Sequence, residues 1–280
     1  MVSDVELIVQ AIEGLHTNVI KDYILPIGSV LVSGALGAGV AYYSVDRQEK
    51  TKIEIEKIQN INNTLLIAMD VRMSLISIKQ NYFGSISNEP IDRMLTVPPI
   101  ILSERQAKIN FASLSFIVSN GDQGSVNKWS SIEYISTIFS NYNSLLKLWE
   151  RRNEIIIDLM PTLKPYFGKP LNYQMLQTLI GDGIISQLSD LTERALHMTD
   201  DLLIEVSAFL IGFSDVAKSK VEKRLVKKFG NILSATLPSN DDFPKAVEIL
   251  NKVPELNYEL ASQIHGRGED ELRERYRAIY

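Results

Sequence analysis

Tyr23-Ile24-Leu25-Pro26-Ile27-Gly28-Ser29-Val30-Leu31-Val32-Ser33-Gly34-Ala35-Leu36-Gly37-Ala38-Gly39-Val40-Ala41-Tyr42-Tyr43-Ser44-Val45 is an uncharged run bounded by Asp22 and Asp46. Pro26 suits the first turn of a helix, where an N–H would have no intrahelical partner anyway. A helix from Pro26 onward rises roughly 30 Å at ~1.5 Å per residue, which matches the ~30 Å hydrocarbon core of a bilayer. Tyr23 at one end and Tyr42 and Tyr43 at the other stand where amphipathic rings meet a membrane interface. Residues 23–45 are therefore expected to form a transmembrane helix.

Two other readings of this run compete. A cleaved signal peptide would use the small pair Gly39 and Ala41, but it needs a basic start. Asp4, Glu6, Glu13 and Asp22 precede the run against Lys21 alone, and a chain read from Met1 is expected to keep the segment. A nucleotide-binding turn is imitated by Val30 to Gly39, a strand-like stretch leading into glycines. The glycine spacing does not fit G-x-G-x-x-G, and no alternating strands follow to build a sheet.

The flanks set an expected orientation. Arg47, Lys50, Lys52 and Lys57 follow the span, and cytoplasmic flanks collect Lys and Arg. Residues 1–22 are expected outside the cell's inner (plasma) membrane and the C-terminal part in the cytoplasm. Within the span, Ser29, Ser33, Gly37 and Ala41 recur every four residues and share one helix face, widened by Gly28, Gly34, Ala35, Ala38 and Gly39. In lipid, close backbone approach through small residues promotes helix pairing, so this face predicts a homo-oligomer. Gly and Ala are also simply frequent in membrane helices. No charge lines the span, which gives a pore no support.

Before the span, Val5, Ile8, Val9, Ile12 and Val19 fall near one face at helical spacing, with Gly14 weakening the helix. An amphipathic helix on the outer membrane surface is one reading, and a marginal leader is the other.

The rest of the chain reads as helix, and no solenoid period is found. The expected segments are 46–160, a stalk with a first helical region, and 161–280, a second helical region. From Asp46 a charged helix carries Ile55, Ile58, Ile61, Leu65, Met69 and Ile76, and should stop near Gly84. It fits a coiled-coil stalk, but Asn62 and Arg72 interrupt its seam, so packing within the domain is the other reading. Further helices are predicted over 103–119, over 128–160, and over 172–229 with a break at Gly181-Asp182-Gly183. Asn120-Gly121-Asp122-Gln123-Gly124 reads as a turn. Pro161, Pro165 and Pro170 mark a subregion boundary, and shorter helices are expected over 243–252 and 269–279. The fold class predicted is all-α, a single transmembrane helix followed by a cytoplasmic antiparallel helical bundle.

Candidate chemistry is sparse. Cysteine is absent, which excludes thiol nucleophiles, disulfides and sulfur-ligated metals and fits a cytoplasmic body. Histidine occurs only at His16, His197 and His265. Glu193, His197 and Asp201, with Asp200 beside them, are the best metal set. Their spacing differs from the Glu-x-x-His of di-iron bundles, and they are read as a solvated outer face away from the apolar seam Leu188, Leu191, Ala195, Met198, Leu202, Phe209 and Phe213. His265-Gly266-Arg267-Gly268 can offer amides and a guanidinium to phosphate, but reads as an interhelical turn. No catalytic residue, metal or cofactor is assigned.

Lys218, Lys220, Lys223, Arg224, Lys227 and Lys228 face only Glu222 in their stretch, interleaved with Ala217, Val221, Leu225 and Phe229. They predict a basic amphipathic helix end that docks on anionic lipid or an acidic partner. The alternative is a solvated C-terminus complementing the helix dipole. Nucleic acid fits poorly with a net charge of −5.

The layout resembles a loose group of bacterial single-pass proteins with a short external N-terminus, a glycine-rich anchor and a cytoplasmic helical body. Some members look like accessory or effector components of phage-defence loci. The resemblance covers layout and no motif, so no functional residue follows from it. The leading expectation is a non-enzymatic membrane scaffold or adaptor that recruits a cytoplasmic protein. A membrane-perturbing, pore-type effector and a metal-dependent enzyme at Glu193 and His197 are the alternatives.

Overall fold

The computed structural model describes residues 4–14, 25–102, 106–118, 127–169, 171–236, 241 and 244–277. Among the described residues helix accounts for 78% and no strand occurs, an all-helical structure. Its helices are α1 (Asp4–Gly14), α2 (Leu25–Gln80), α3 (Pro90–Thr96), α4 (Ile132–Leu163), α5 (Tyr173–Ile180), α6 (Asp182–Ser219), α7 (Lys223–Phe229), α8 (Pro244–Glu248), α9 (Tyr258–His265) and α10 (Glu269–Arg275). Val19, Lys21, Asp22, Tyr23, His16, the side chain of Ile12 and the Asn120–Gly124 turn lie outside the described residues. The chain forms two compact units, Met1–Glu54 and Ile55–Tyr280.

In the first unit α1 is exposed at its described positions, and the glycine-rich run is helical from Leu25 onward, with no strand and no nucleotide-binding turn among its described residues. This helix is long and apolar enough to cross a membrane, and the span is not buried anywhere in the chain.

In the second unit, the later part of α2 buries Ile58, Ile61, Leu65, Ala68, Val71 and Leu75. They join Ile135, Phe139, Leu145 and Trp149 of α4 and Leu196, Leu203, Phe209 and Phe213 of α6 in one core. From Ile58 onward the seam of α2 is thus covered by the chain itself. The most extensive interface pairs α4 with α6. Gly212 of α6 is there because the Trp129 indole lies against it: a Cβ would sit 2.0 Å from Nε1.

Helix ends follow local chemistry. Asn172, Ser131 and Asn257 accept hydrogen bonds from the N–H groups of Met175, Tyr134 and Leu260, each an N-cap. Gly181, at φ +79°, separates α5 from α6 where the Gly-Asp-Gly break is predicted. Gly266, left-handed at φ +61°, ends α9.

Three sequence expectations are corrected. The helix over 103–119 is not formed: among its described residues, 106–110 are irregular and only Phe111–Ile117 makes a 3-10 turn. The cause lies in α4, whose Asn143 amide accepts from Ala107 N (2.9 Å) and donates to Ala107 O (3.0 Å). Asn153 clamps Ile100 in the same way, at 3.0 and 2.6 Å. Asn62 of α2, a polar break in the seam, clamps the segment at Asn231 O (3.1 Å) and Leu233 N (2.9 Å). Each asparagine presents a donor and an acceptor to an irregular backbone stretch that has no helix or sheet partner for them.

Pro161 does not break the chain but lies inside α4. A proline removes the N–H that would bond the carbonyl four residues back, and here that residue is the exposed Ile157. The basic run is also not one helix end. It is divided at Lys220–Glu222, where buried Val221 turns the chain and α7 starts afresh behind Glu222.

Candidate functional site

Three features gather the candidate residues, and each is described within its own unit. In the first unit Ser29, Ser33, Gly37 and Ala41 all lie on α2 and are exposed. A Cβ added at Gly28, Gly34, Gly37 or Gly39 would meet nothing within 4 Å. No part of the described chain covers this face. The Ser29 hydroxyl donates to Pro26 O at 2.8 Å, so this polar group is satisfied by its own helix as an apolar surrounding requires.

In the second unit the basic residues are exposed except for half-buried Lys220. Lys218 lies in the last turn of α6 and pairs with Asp215 at 3.3 Å. Lys223, Arg224, Lys227 and Lys228 occupy α7, with the Lys228 ammonium 5.0 Å from the Phe229 ring centre.

The third feature overturns the solvated-face reading of Glu193, His197 and Asp201. Glu193 is fully buried and Asp200 nearly so, because α6 is covered on this side by α3 and by residues 251–276. Arg93 of α3, also fully buried, places Nε 3.0 Å from Glu193 Oε1 and donates from Nη1 to Pro254 O at 2.9 Å. Lys79 of α2 reaches Asp200 Oδ1 at 2.7 Å and also donates to Asn251 O. The second Asp200 oxygen accepts from Val253 N at 2.7 Å, and Asp201 pairs with Lys252 at 2.6 Å. About three turns before them, Asp190 receives Nε and Nη2 of Arg275. The Tyr276 ring stacks on His197 with centroids 5.9 Å apart and planes within 5°.

Burial governs the electrostatics of this cluster. It raises Glu193 to about 7 despite the attraction of Arg93. It lowers His197 to about 4, aided by the Arg93 charge. Asp200 is raised by burial, with Lys79 opposing. At Asp190 burial is outweighed by the Arg275 fork, and the carboxyl falls below its ordinary value. Arg152 is a separate buried cation, lowered to about 10 by burial. It closes the end of α3 by donating to Met94 O and Pro98 O, each at 3.1 Å, and to Val97 O.

Chemically, the α6 cluster binds chain segments together. Glu193 faces a guanidinium, and among the described residues no group of three or more His, Asp or Glu side chains has the arrangement of a metal centre. His265 and Arg267 form the interhelical turn, with His265 Nδ1 2.9 Å from Ser186 Oγ and Arg267 paired to Glu271. A groove of about 770 Å³ between α3, the end of α4 and α5 is lined mainly by apolar groups such as Leu95, Ile156, Met160 and Phe167.

Sequence reasoning missed Lys79, Arg93, Arg152, Asp190 and Arg275, although spacing carried a signal. Glu193, Leu196, Asp200 and Leu203 recur at three and four residues along one stripe, as do Leu145, Trp149, Arg152 and Ile156. A charge inside an apolar stripe implies a buried partner. No protein family, no curated protein and no solved structure matches this chain.

Proposed function

We propose that this chain is a non-enzymatic, single-pass membrane scaffold or adaptor. The observation that carries the reading is the apolar stretch of α2, helical and uncovered on every side, with a face of Ser29, Ser33, Gly37 and Ala41. An exposed apolar helix of this length is costly in water and favourable in lipid. The excess of Lys and Arg after the span supports residues 1–22 outside and the C-terminal body in the cytoplasm. In this reading the body is an antiparallel bundle, with a coiled-coil stalk that starts at Asp46. The small-residue face joins protomers, the body recruits a cytoplasmic protein, and Lys218 to Lys228 attach to anionic lipid.

Because the chain has no cysteine, a single introduced thiol reports on one position. Ser33→Cys in native membranes should give a disulfide-linked dimer on mild oxidation. Leu31→Cys, turned about 200° away on a helix, should not. Equal yields from both positions, or no dimer from either, would contradict self-association through this face.

A further inference from the structure

Arg72 interrupts the apolar seam of α2, and the chain does not neutralise it. Its Nε donates to the Ser207 hydroxyl of α6 at 2.9 Å, and that hydroxyl donates in turn to Leu203 O at 2.7 Å. Among the described residues Nη1 and Nη2 have no hydrogen bond and no carboxylate pairs with them. Burial lowers the pKa of this half-buried group, with no neighbouring acid to oppose it. The other interior cations are provided for: Lys79 and Arg93 face Asp200 and Glu193, and Arg152 donates to three carbonyls. A charge drawn partly out of water without a counter-charge is costly, so Arg72 gains from an anion supplied from outside. Arg72, Ile76 and Gln80, at four-residue spacing on α2, form one wall of a groove of about 500 Å³. Lys245 and Ala246 of α8, with Thr236 and Ile249, form the other. Lys245 is exposed and has no ion pair among the described residues, and no acid among them lines the groove.

We propose that the groove between α2 and α8 binds the phosphate group of a phosphate monoester, with Arg72 and Lys245 as its cations. The Ser207 bond holds the guanidinium through Nε and leaves the Nη1–Nη2 fork, which matches two phosphate oxygens. Lys245 brings the second charge, and the Thr236 hydroxyl and Gln80 amide are neutral donors. Two cations without an acid suit a group that carries roughly −2 at pH 7 better than they suit a single carboxylate. Ile76, Ala246 and Ile249 give the groove an apolar part beside the charges, for the organic portion of the ester. Its volume falls within the range of small-ligand sites, about 300–1,000 Å³. A soluble phosphate ester and a lipid headgroup ending in a phosphate present this same chemistry. None of the basic residues from Lys218 to Lys228 lines the groove, so the inference goes beyond the scaffold reading and does not rest on it.

The test is calorimetric titration of the full chain in uncharged detergent with glycerol 3-phosphate and, separately, with dioctanoyl phosphatidic acid in the same micelles. Glycerol and dioctanoyl glycerol are the phosphate-free controls. Wild type should bind a phosphate-bearing probe at one site per protomer and bind neither control. Arg72→Gln should weaken that binding about tenfold or more. Lys245→Ala, at an exposed position, should weaken it roughly threefold, whereas Lys227→Ala/Lys228→Ala on α7 should leave it unchanged. Tighter binding of the lipid supports the proposal with a headgroup as the source, and tighter binding of glycerol 3-phosphate supports it with a soluble ester. The proposal is overturned if wild type binds neither probe, or if Arg72→Gln or Lys245→Ala, folded by circular dichroism, binds as tightly as wild type. Should Arg72→Gln fail to fold, Lys245→Ala decides alone.

Discussion

Arg93 and Glu193 meet in the interior with Nε 3.0 Å from Oε1, and neither side chain is exposed to solvent. The pair ties α3 to α6, and Arg93 extends the tie to the C-terminal segment through Pro254 O. Removing two charges from water is expensive, so such a pair is worth less than its short distance suggests. Breaking it is another matter, since a lone buried guanidinium keeps the whole cost.

Glu193→Ala should therefore destabilise the folded body by roughly 3–5 kcal/mol, measured at about pH 8 where Glu193 is ionised. The double variant Arg93→Met/Glu193→Leu should recover much of that loss. Thermal unfolding of the detergent-extracted protein checks both, and an unchanged Glu193→Ala midpoint would contradict the pairing.

Glu193 and His197 should respond to pH in opposite directions. The native Glu193 binds its proton near 7 whereas the unfolded chain does so near 4.5, so falling pH stabilises the native state across that window. The native His197 stays neutral to about 4 whereas the unfolded imidazole protonates near 6.5, so falling pH destabilises the native state there. Each shift corresponds to roughly 3 kcal/mol, and the two offset each other over most of the range. In Glu193→Gln, stability relative to wild type should fall as pH drops from 7 to 4.5. In His197→Asn it should rise as pH drops from 6.5 to 4. Parallel stability curves for wild type and both variants would remove this account.

Asn143→Ala should cost roughly 1–3 kcal/mol, because it leaves both backbone groups of Ala107 unmet. Hydrogen exchange should quicken in the 106–110 stretch before it does in α6. Uniform acceleration across the body would mean that Asn143 is not a local clamp.

Much of the helical layout was legible because periodicity and turn residues act locally. The stop of α2 before Gly84, the Gly181 break and the all-helical class follow from such signals. α9 was missed, although Asn257 before Tyr258–His265 and Gly266 after it are ordinary cap residues. The irregular 106–110 segment was not legible, since it is held by an amide 36 residues away. The buried charges were misjudged for a similar reason. Glu193 and Asp200 look like solvated acids until Arg93 and Lys79, distant in sequence, are placed beside them. Ser29, Ser33, Gly37 and Ala41 fall along one helix, α2, which their four-residue spacing alone requires.

The most direct measurement is the mass of the detergent-extracted complex, for wild type and for Gly37→Leu. A leucine at this position keeps the span apolar but blocks close backbone approach. Wild type should run as a defined multiple of the 31.5 kDa protomer, and Gly37→Leu should still insert but fall to a single protomer. A wild-type chain that runs as one protomer, or a variant with the same mass as wild type, would contradict assembly through Ser29, Ser33, Gly37 and Ala41.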